Sequence, residues 1–346
     1  MIAPRTAFIA LAFLGMSTHS ARRRDEIDKL MERYDGTSPG ASVLVVRDGK
    51  VVVSRAYGLA DVEARVAATP QTNYRLASVT KQFTATAILL LYQDSKLSLD
   101  DRIKHWLPSL PSALDSVTIR QLLTHTSGII DYEDVMPAGT TAQLHDADVL
   151  RLLESQDSTY FKPGTKYQYS NSGYALLALI VERVSGKRFA TFLHDRIFAP
   201  LGMNHTVAFE NGISTVSNRA FGYTMKDSAW TRKDQSTTSA VLGDGGIYSS
   251  IDDLVRWDAA LYDSRLLNDA SRKLAFSPQT PTDQPDVSYG FGWRITGETL
   301  WHSGETSGFR NVIVRYPARH LTVVILTNRD DPAPNETALA IAKLYL

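Results

Sequence analysis

Apolar residues follow two spacings along the chain, and each predicts a different kind of element. Residues 41–47 and 51–56 are rich in valine and flank Asp48-Gly49-Lys50. Two β-branched runs joined by an Asp-Gly turn are typical of a β-hairpin. Near the C-terminus, further strands are predicted at 291–296, 311–316 and 321–327. Strands are therefore expected toward both ends of the chain.

The middle of the chain has the three- and four-residue spacing that predicts helices. Phe83, Ala87 and Leu91 recur at this spacing and predict a buried helix that begins near Ser78. Turns rich in proline, glycine and serine separate the other segments. Further helices are expected at 25–34, 118–124, 142–155, 172–185, 189–198, 252–262 and 335–344.

This order of elements predicts an α+β fold. An antiparallel sheet is completed by both ends of the chain and flanked by N- and C-terminal helices, and it carries a large inserted all-helical region. We expect the α/β part at about residues 22–75 and 240–346, and the helical part at about residues 76–239. A chain of 346 residues is long enough for the sizeable core that this fold needs.

Composition excludes several classes of partner and site. Lysine plus arginine equal aspartate plus glutamate at 37 each, so no overall field favours nucleic acid or an anionic membrane. The chain contains no cysteine, which excludes disulfides, thiolate metal sites and a cysteine nucleophile. The eight histidines lack the His-x-His and His-Glu-x-x-His spacings of metal sites. We therefore expect a small-molecule or peptide substrate and neither a metal nor an organic cofactor.

Residues 1–21 resemble a secretory signal peptide. Arg5 precedes a short apolar run at residues 7–16, and small polar residues follow as far as Ala21. The run is too short to span a bilayer comfortably. The arginines at residues 22–24 oppose translocation, and a frayed extension is the alternative. We expect a periplasmic or secreted protein with no stable membrane span after removal of the signal.

Ser78 and Lys81 form the first candidate chemical group. They lie one helical turn apart and therefore on one face of the predicted helix. A helix N-terminus favours the negative charge of an alkoxide, and a partly desolvated lysine can act as a base. The alternative is a serine N-cap followed by a solvated lysine.

Two later segments carry further candidates. Tyr169-Ser170-Asn171 precedes a predicted helix, where tyrosine can relay a proton and asparagine can hold a substrate carbonyl. His302-Ser303-Gly304 follows a strand-like run, and Gly304 permits close approach of a substrate to backbone. Purely structural roles are the alternatives: a packed tyrosine, an asparagine N-cap and a hydrogen-bonded strand histidine.

Together, these three segments resemble the active-site motifs of serine β-lactamases and penicillin-binding proteins. With tyrosine in the second motif and histidine in the third, they are similar to the class C β-lactamase and D-alanyl-D-alanine carboxypeptidase branch, which also contains esterases. The resemblance covers about residues 27–346. Other segments that resemble this group are 122–129, 163–164, 243–250, 289–293 and 326–328.

The resemblance implies roles for individual residues. Ser78 would be the acylated nucleophile, and Lys81 and Tyr169 would share general base and acid work. A hydrolase of this kind would act through an acyl-enzyme on amide, peptide or ester substrates, as a β-lactamase or D-Ala-D-Ala carboxypeptidase does. The alternatives are a related carboxylesterase and a non-catalytic penicillin-recognising receptor or scaffold.

The remaining candidates would bind the substrate. By the resemblance, Asn171 would contact the substrate amide, and the backbone N–H groups of Ser78 and Glu305 would form an oxyanion hole beside Gly304. His302 stands where many relatives carry lysine, and it would help orient the substrate carboxylate and the proton network. A neutral His302 weakens carboxylate recognition, and an inward-pointing Glu305 would repel anionic substrates. Both departures count against efficient penicillin hydrolysis.

Overall fold

The computed structural model describes residues 22–346, and its centre is an eight-stranded antiparallel sheet. Numbered along the chain, the strands are β1 Ala41–Arg47, β2 Lys50–Tyr57, β3 Leu59–Asp61, β4 Val66–Ala67, β5 Tyr74–Arg75, β6 Val207–Ala208, β7 Tyr223–Lys226, β8 Ala229–Arg232, β9 Ile247–Ser249, β10 Thr280–Pro281, β11 Ser288–Tyr289, β12 Arg294–Thr296, β13 Thr299–Thr306, β14 Phe309–Tyr316 and β15 Leu321–Thr327. The order across the large sheet is β10-β11-β12-β13-β14-β15-β1-β2.

Both ends of the described chain complete this sheet, as the sequence predicts. Strand β1 pairs with β15 from Ala41 opposite Thr327 to Arg47 opposite Leu321. The predicted hairpin joins β1 to β2, and its turn residues Asp48 and Gly49 both have positive φ, at 51° and 71°. Those values match the turn that the twist of paired strands favours.

Helices lie on both faces of the sheet. They are α1 at residues 22–31, α2 Lys81–Gln93, α3 Ile119–Leu123, α4 Tyr132–Val135, α5 Asp146–Leu153, α6 Asn171–Ser185, α7 Phe189–Leu193, α8 Ala199–Leu201, α9 Leu242–Gly245, α10 Ile251–Ala260, α11 Asp269–Phe276 and α12 Asn335–Lys343. A π-helical turn, His194–Phe198, connects α7 to α8, and 3₁₀ turns lie at Glu32–Tyr34, Ala77–Thr80, Ile103–His105, Ser112–Leu114 and Pro317–Arg319.

Alternate side chains of the sheet enter two separate hydrophobic cores. Val43 and Val45 of β1 belong to the core formed with Ile27 of α1 and Ile341 of α12. Leu44, between them, points to the other face and joins the core that contains the apolar side chains of α2 and α6. This division follows from the two-residue period of a strand. The second core fixes α2 against the sheet and thereby positions the candidate site.

The stretch expected to be all helical also contains strands, which corrects that part of the prediction. Within residues 76–239, β7 and β8 form a two-stranded hairpin. Its turn residues Asp227 and Ser228 both have positive φ, at 48° and 62°. No glycine marks this turn, so the sequence lacks the usual hairpin signal.

No helix within residues 22–346 is apolar over a length sufficient to cross a membrane. The predicted signal peptide at residues 1–21 lies outside the described residues.

Candidate active site

Ser78 lies in the 3₁₀ turn Ala77–Thr80, which runs directly into α2. The predicted helix therefore starts as a tighter turn, and α2 itself begins at Lys81. Ala77 has a φ of +51°, a left-handed conformation that costs a non-glycine residue about 1 kcal/mol. The surrounding structure imposes this conformation, since the N–H of the preceding Leu76 donates to the carbonyl of Ile247 at 2.8 Å. The half-buried Ser78 is thus held on a strained turn at the start of a buried helix.

Lys81 is fully buried, and its ammonium group is aimed at Ser78. Nζ donates to Ser78 Oγ at 3.2 Å, to Asn171 Oδ1 at 2.8 Å and to the backbone carbonyl of Asp244 at 3.0 Å. All three partners are oxygen atoms of uncharged groups, and none of them is a carboxylate. The amine is therefore fixed on the serine by neutral partners.

Tyr169 lies against the same amine. Lys81 Nζ is 4.8 Å from the centre of the Tyr169 ring, and the His125 ring packs on the tyrosine with a centroid distance of 4.3 Å. The Tyr169 hydroxyl is buried and has no hydrogen-bond partner in the part of the chain that the structure describes. Buried hydroxyls usually have a partner, so this one is available to a substrate or to water.

His302 is buried, and both of its ring nitrogens contact protein atoms. Nδ1 lies 2.6 Å from the carbonyl of Ser303, and Nε2 lies 3.1 Å from the hydroxyl of Tyr289. Burial, reinforced by the charge of Arg294, lowers the pKa of His302 to about 3. The imidazole is therefore neutral at pH 7 and carries no charge for a substrate carboxylate.

Gly304 brings β13 against the turn that holds Ser78. A Cβ atom at Gly304 would lie 2.1 Å from the carbonyl oxygen of Leu76 and 3.2 Å from the amide nitrogen of Val79. The pairing of β12 with β13 ends at Trp301, so residues 302–306 have no strand on that side among the described residues. An open backbone edge thus lies beside Ser78.

The Glu305 side chain is directed toward solvent and Arg310, although the residue is part of the cleft lining. Its side chain is 57 % exposed, and its carboxylate lies 3.5 Å from the guanidinium of Arg310 on the neighbouring strand. This orientation removes the objection that an inward Glu305 charge would repel anionic substrates.

Three acidic residues that the sequence did not single out lie around Asn171. Asp131 accepts from the N–H of Asn171 at 2.7 Å and from the N–H of Glu133 at 3.2 Å. Asn171 Nδ2 donates to Glu133 Oε1 at 3.2 Å. Asp244 accepts from the Tyr132 hydroxyl at 3.0 Å, and burial raises the pKa of Asp244 to about 8. The acidic run Asp131-Tyr132-Glu133-Asp134 was the available signal, but nothing local relates it to Ser78.

Glu133 and Asp244 share one cleft with Ser78. Its lining is Arg75, Ala77, Ser78, Tyr132, Glu133, Asn171, Thr238, Asp244, Gly245, Glu305 and Thr306. Ser78, Lys81, Tyr169 and Asn171 are therefore brought together, Gly304 and Glu305 form the adjacent strand edge, and His302 lies behind that edge. The arrangement can support nucleophilic attack by a serine with proton transfer through an adjacent amine.

The family model described as Beta-lactamase matches residues 24–346. The chain belongs to the Beta-lactamase family. Its membership confirms the resemblance to serine β-lactamases and penicillin-binding proteins and identifies it as a β-lactamase-related serine hydrolase. The narrower assignment to the class C branch stays a prediction.

Individual relatives of this Beta-lactamase-family chain have several names. It is 32 % identical to "Penicillin-binding protein 4*" of Bacillus subtilis over 91 % of its own length and 72 % of that protein. It is 29 % identical to "D-aminopeptidase" of Gluconobacter oxydans, covering 93 % of this chain but 62 % of that protein. The chain thus spans only part of each of these relatives.

Solved structures agree on the fold. The octameric penicillin-binding protein homologue from Pyrococcus abyssi superposes with a TM-score of 0.82 at 28 % identity, over 94 % of this chain and 77 % of that one. EstCE1, a hydrolase with promiscuous acyltransferase activity, superposes with a TM-score of 0.79 at 23 % identity, over 95 % and 98 % of the two chains. The second likeness concerns the fold alone.

Proposed function

We propose that this serine hydrolase forms an acyl-enzyme at Ser78 on amide, peptide or ester substrates. The 3.2 Å contact between Lys81 Nζ and Ser78 Oγ carries the proposal, because it joins a nucleophile to a base with no other side chain between them. The names of two relatives, a penicillin-binding protein and a D-aminopeptidase, favour amide and peptide substrates.

The reaction would proceed in two halves. In the first, Lys81 acts as a neutral amine: it takes the hydroxyl proton of Ser78 and becomes an ammonium, while Ser78 Oγ bonds to the substrate carbonyl carbon. The backbone N–H groups of Ser78 and Glu305 would stabilise the negative oxygen of the tetrahedral intermediate. Tyr169 then delivers a proton to the leaving group as the scissile bond breaks. In the second half, water attacks the acyl-enzyme, the same groups remove its proton, and Ser78 Oγ leaves protonated.

The other two polar residues would serve binding and support. Asn171 would contact the substrate amide, while its side-chain oxygen holds Lys81 at 2.8 Å. His302 is neutral and has both nitrogens occupied, so we place it in the polar network through Tyr289 rather than at a substrate carboxylate.

Replacement of the nucleophile tests the proposal. The Ser78→Ala variant should lose at least a thousandfold in kcat/KM for p-nitrophenyl acetate, because no oxygen remains to accept the acyl group. Ser155→Ala, at an exposed helix end remote from the cleft, is the matched control and should keep full activity. Intact-mass spectrometry with a penicillin should show an adduct on the wild type and on Ser155→Ala but not on Ser78→Ala.

Unchanged hydrolysis in the Ser78→Ala variant would exclude Ser78 as the nucleophile. If the wild-type protein is acylated by the penicillin but hydrolyses neither the ester nor any amide or peptide substrate, it is a penicillin-recognising scaffold.

A further inference from the structure

Glu133 is a carboxylate in the cleft without a cationic partner. It lies in the short helix α4 and lines the same cleft as Ser78. One of its oxygens accepts a hydrogen bond of 3.2 Å from the neutral amide of Asn171. Within residues 22–346, no lysine, arginine or histidine nitrogen lies within 4.0 Å of its carboxylate. Glu133 therefore has hydrogen-bonding capacity and charge to spare.

The two neighbouring acids are already satisfied. Both oxygens of Asp131 accept backbone N–H groups, those of Asn171 and Glu133. Asp244 lies deeper, accepts from the Tyr132 hydroxyl and, with its pKa raised to about 8 by burial, is mostly protonated at pH 7. Burial and the charge of Asp131 also raise the pKa of Glu133. A cation that reached Glu133 would relieve this electrostatic cost.

Arg75, which lines the cleft, and Lys81, which contacts Ser78, both have other partners. The Arg75 guanidinium donates to the Ser239 carbonyl at 2.8 Å, to Gln235 Oε1 at 3.2 Å and to the Tyr248 hydroxyl at 3.3 Å. Lys81 Nζ is hydrogen-bonded to Ser78 Oγ, Asn171 Oδ1 and the backbone carbonyl of Asp244. Neither of them provides a hydrogen bond to Glu133.

Position and rigidity make Glu133 suited to bind a substrate group. A continuous series of hydrogen bonds runs from Glu133 through the Asn171 amide and Lys81 to Ser78. The Tyr132 N–H donates to Ser172 Oγ at 2.7 Å, which ties α4 to α6. The backbone that carries Glu133 is thus fixed before the substrate arrives, which reduces the entropic cost of binding.

We propose that Glu133 binds an ammonium group on the acyl side of the substrate, so that the site prefers amides and esters with a free amine near the scissile carbonyl. We place the ammonium on the acyl side because the direct partner of Glu133 is Asn171, the residue proposed to contact the substrate amide. This inference rests on the proposed function, because it assigns a substrate class to the Ser78 site.

The test compares a free amine with a blocked one. Alanine p-nitroanilide carries an ammonium beside the scissile carbonyl, and N-acetyl-alanine p-nitroanilide does not; both enantiomers of each are assayed. The wild type should prefer the free amine by tenfold to hundredfold in kcat/KM, about the contribution of a charge-assisted hydrogen bond. Above pH 9 the substrate amine is uncharged, and the preference should largely disappear.

Two variants separate the local contact from general charge. Glu133→Gln should reduce the preference to about threefold or less. The preference is the ratio of kcat/KM for the two anilides within one protein, so a general change in the activity of Ser78 cancels from it. Asp134→Asn removes the same charge one residue away, from a carboxylate that binds the Tyr160 hydroxyl and does not line the cleft. This control should keep the full preference.

Each outcome decides the matter. Equal kcat/KM for the two anilides, a preference that survives Glu133→Gln, or turnover of p-nitrophenyl acetate with neither anilide hydrolysed would overturn the ammonium subsite and leave the Ser78 chemistry standing. Failure to turn over all three substrates would overturn the proposed function, and the subsite with it.

Discussion

At the scale of single residues, the site holds buried ionisable groups away from their ordinary protonation states. Burial keeps His302 neutral, with its pKa lowered to about 3. Burial raises the pKa of Asp244 to about 8, so its carboxyl group retains a proton near neutral pH. This carboxyl group accepts a hydrogen bond from the Tyr132 hydroxyl. Such groups link the stability of the fold to pH, and the sign differs between the two residues.

The Asp244→Asn variant should become more stable relative to the wild type as pH rises. The pKa of Asp244 is raised from 3.8 to about 8 on folding, so the native state binds the extra proton between these values. Wild-type stability is therefore lost as pH rises through that window, by on the order of 1 kcal/mol per pH unit. Asparagine cannot ionise and escapes this loss.

Urea unfolding of both proteins at pH 5, 6.5 and 8 measures the effect. Asp263→Asn, at an exposed loop carboxylate, is the control and should show a difference that varies little with pH. A pH-independent difference for Asp244→Asn would contradict the prediction.

The sequence was informative about residues related by local spacing. Ser78 and Lys81 lie one turn apart, so their contact follows from helical geometry. Motif resemblance then indicated Tyr169 and Asn171, which the fold places around the same amine. Glu133 was not found, because its relation to Ser78 depends on how α4 packs against α6, and no local pattern encodes that packing.

At the scale of elements, the contact between β13 and the Ser78 turn determines the geometry of the site. The strand approaches so closely that only glycine fits at position 304. Because Gly304 has no side chain, the open strand edge can lie beside the nucleophile. Backbone on both sides of this contact is rigid, so a side chain cannot be accommodated by a simple rotation.

Gly304→Ala should therefore destabilise the protein and impair the site. Its Cβ would meet the Leu76 carbonyl at 2.1 Å, and relief of that clash requires backbone movement, at a cost of about 1–3 kcal/mol or more. Hydrolysis of p-nitrophenyl acetate should fall at least tenfold. Urea unfolding and the ester assay measure the two effects.

Gly173→Ala is the matched control. A Cβ there would lie 3.5 Å from the Leu122 carbonyl, an ordinary contact, and alanine is favoured over glycine in a helix by about 1 kcal/mol. This variant should be as stable as the wild type or more so. Comparable damage in the two variants would show that the Gly304 contact is not special.

Prediction of the elements succeeded where the pattern was strong. Strand β15 has the predicted limits, since residues 322–325 are all β-branched and leucines flank them. The start of α2 was displaced because Ala77 adopts a positive φ that alanine does not signal. The β7–β8 hairpin was missed because its turn, Asp227-Ser228, has no glycine.

At the scale of the whole molecule, a buried ion pair joins helix α10 to the sheet. Arg315 of β14 donates to Asp258 of α10 at 2.8 Å, and Thr322 of β15 donates to the same oxygen at 2.7 Å. The two charged side chains are only 1 % and 3 % exposed. The pair fixes the position of α10 on the face of the sheet that packs against the core containing α2 and α6.

Asp258→Ala should cost about 3–5 kcal/mol in unfolding free energy, because Arg315 would remain buried without its counter-ion. The exposed pair between Arg265 and Asp263 offers the control, and Asp263→Ala should cost less than about 1 kcal/mol. Chemical denaturation monitored by tryptophan fluorescence gives both values. Similar losses in the two variants would show that the buried pair has no special weight.

The general architecture could be predicted from the sequence, whereas the buried ion pair could not. Strand-forming runs toward both ends of the chain indicated a shared antiparallel sheet, and β1 does pair with β15. The ion pair between Asp258 and Arg315 left no trace in the sequence, because isolated charged residues in a helix and a strand are usually solvated.

The pairing of β1 with β15 also sets an order of events for the nascent chain. Strand β1 is synthesised well before β15, the neighbour that completes its hydrogen bonds, because the helical part lies between them in the chain. The interior of the sheet therefore cannot close until β15 has been made. Elements between the two strands, such as α2 and α6, have partners earlier. The central sheet is thus completed after the helices that pack on it.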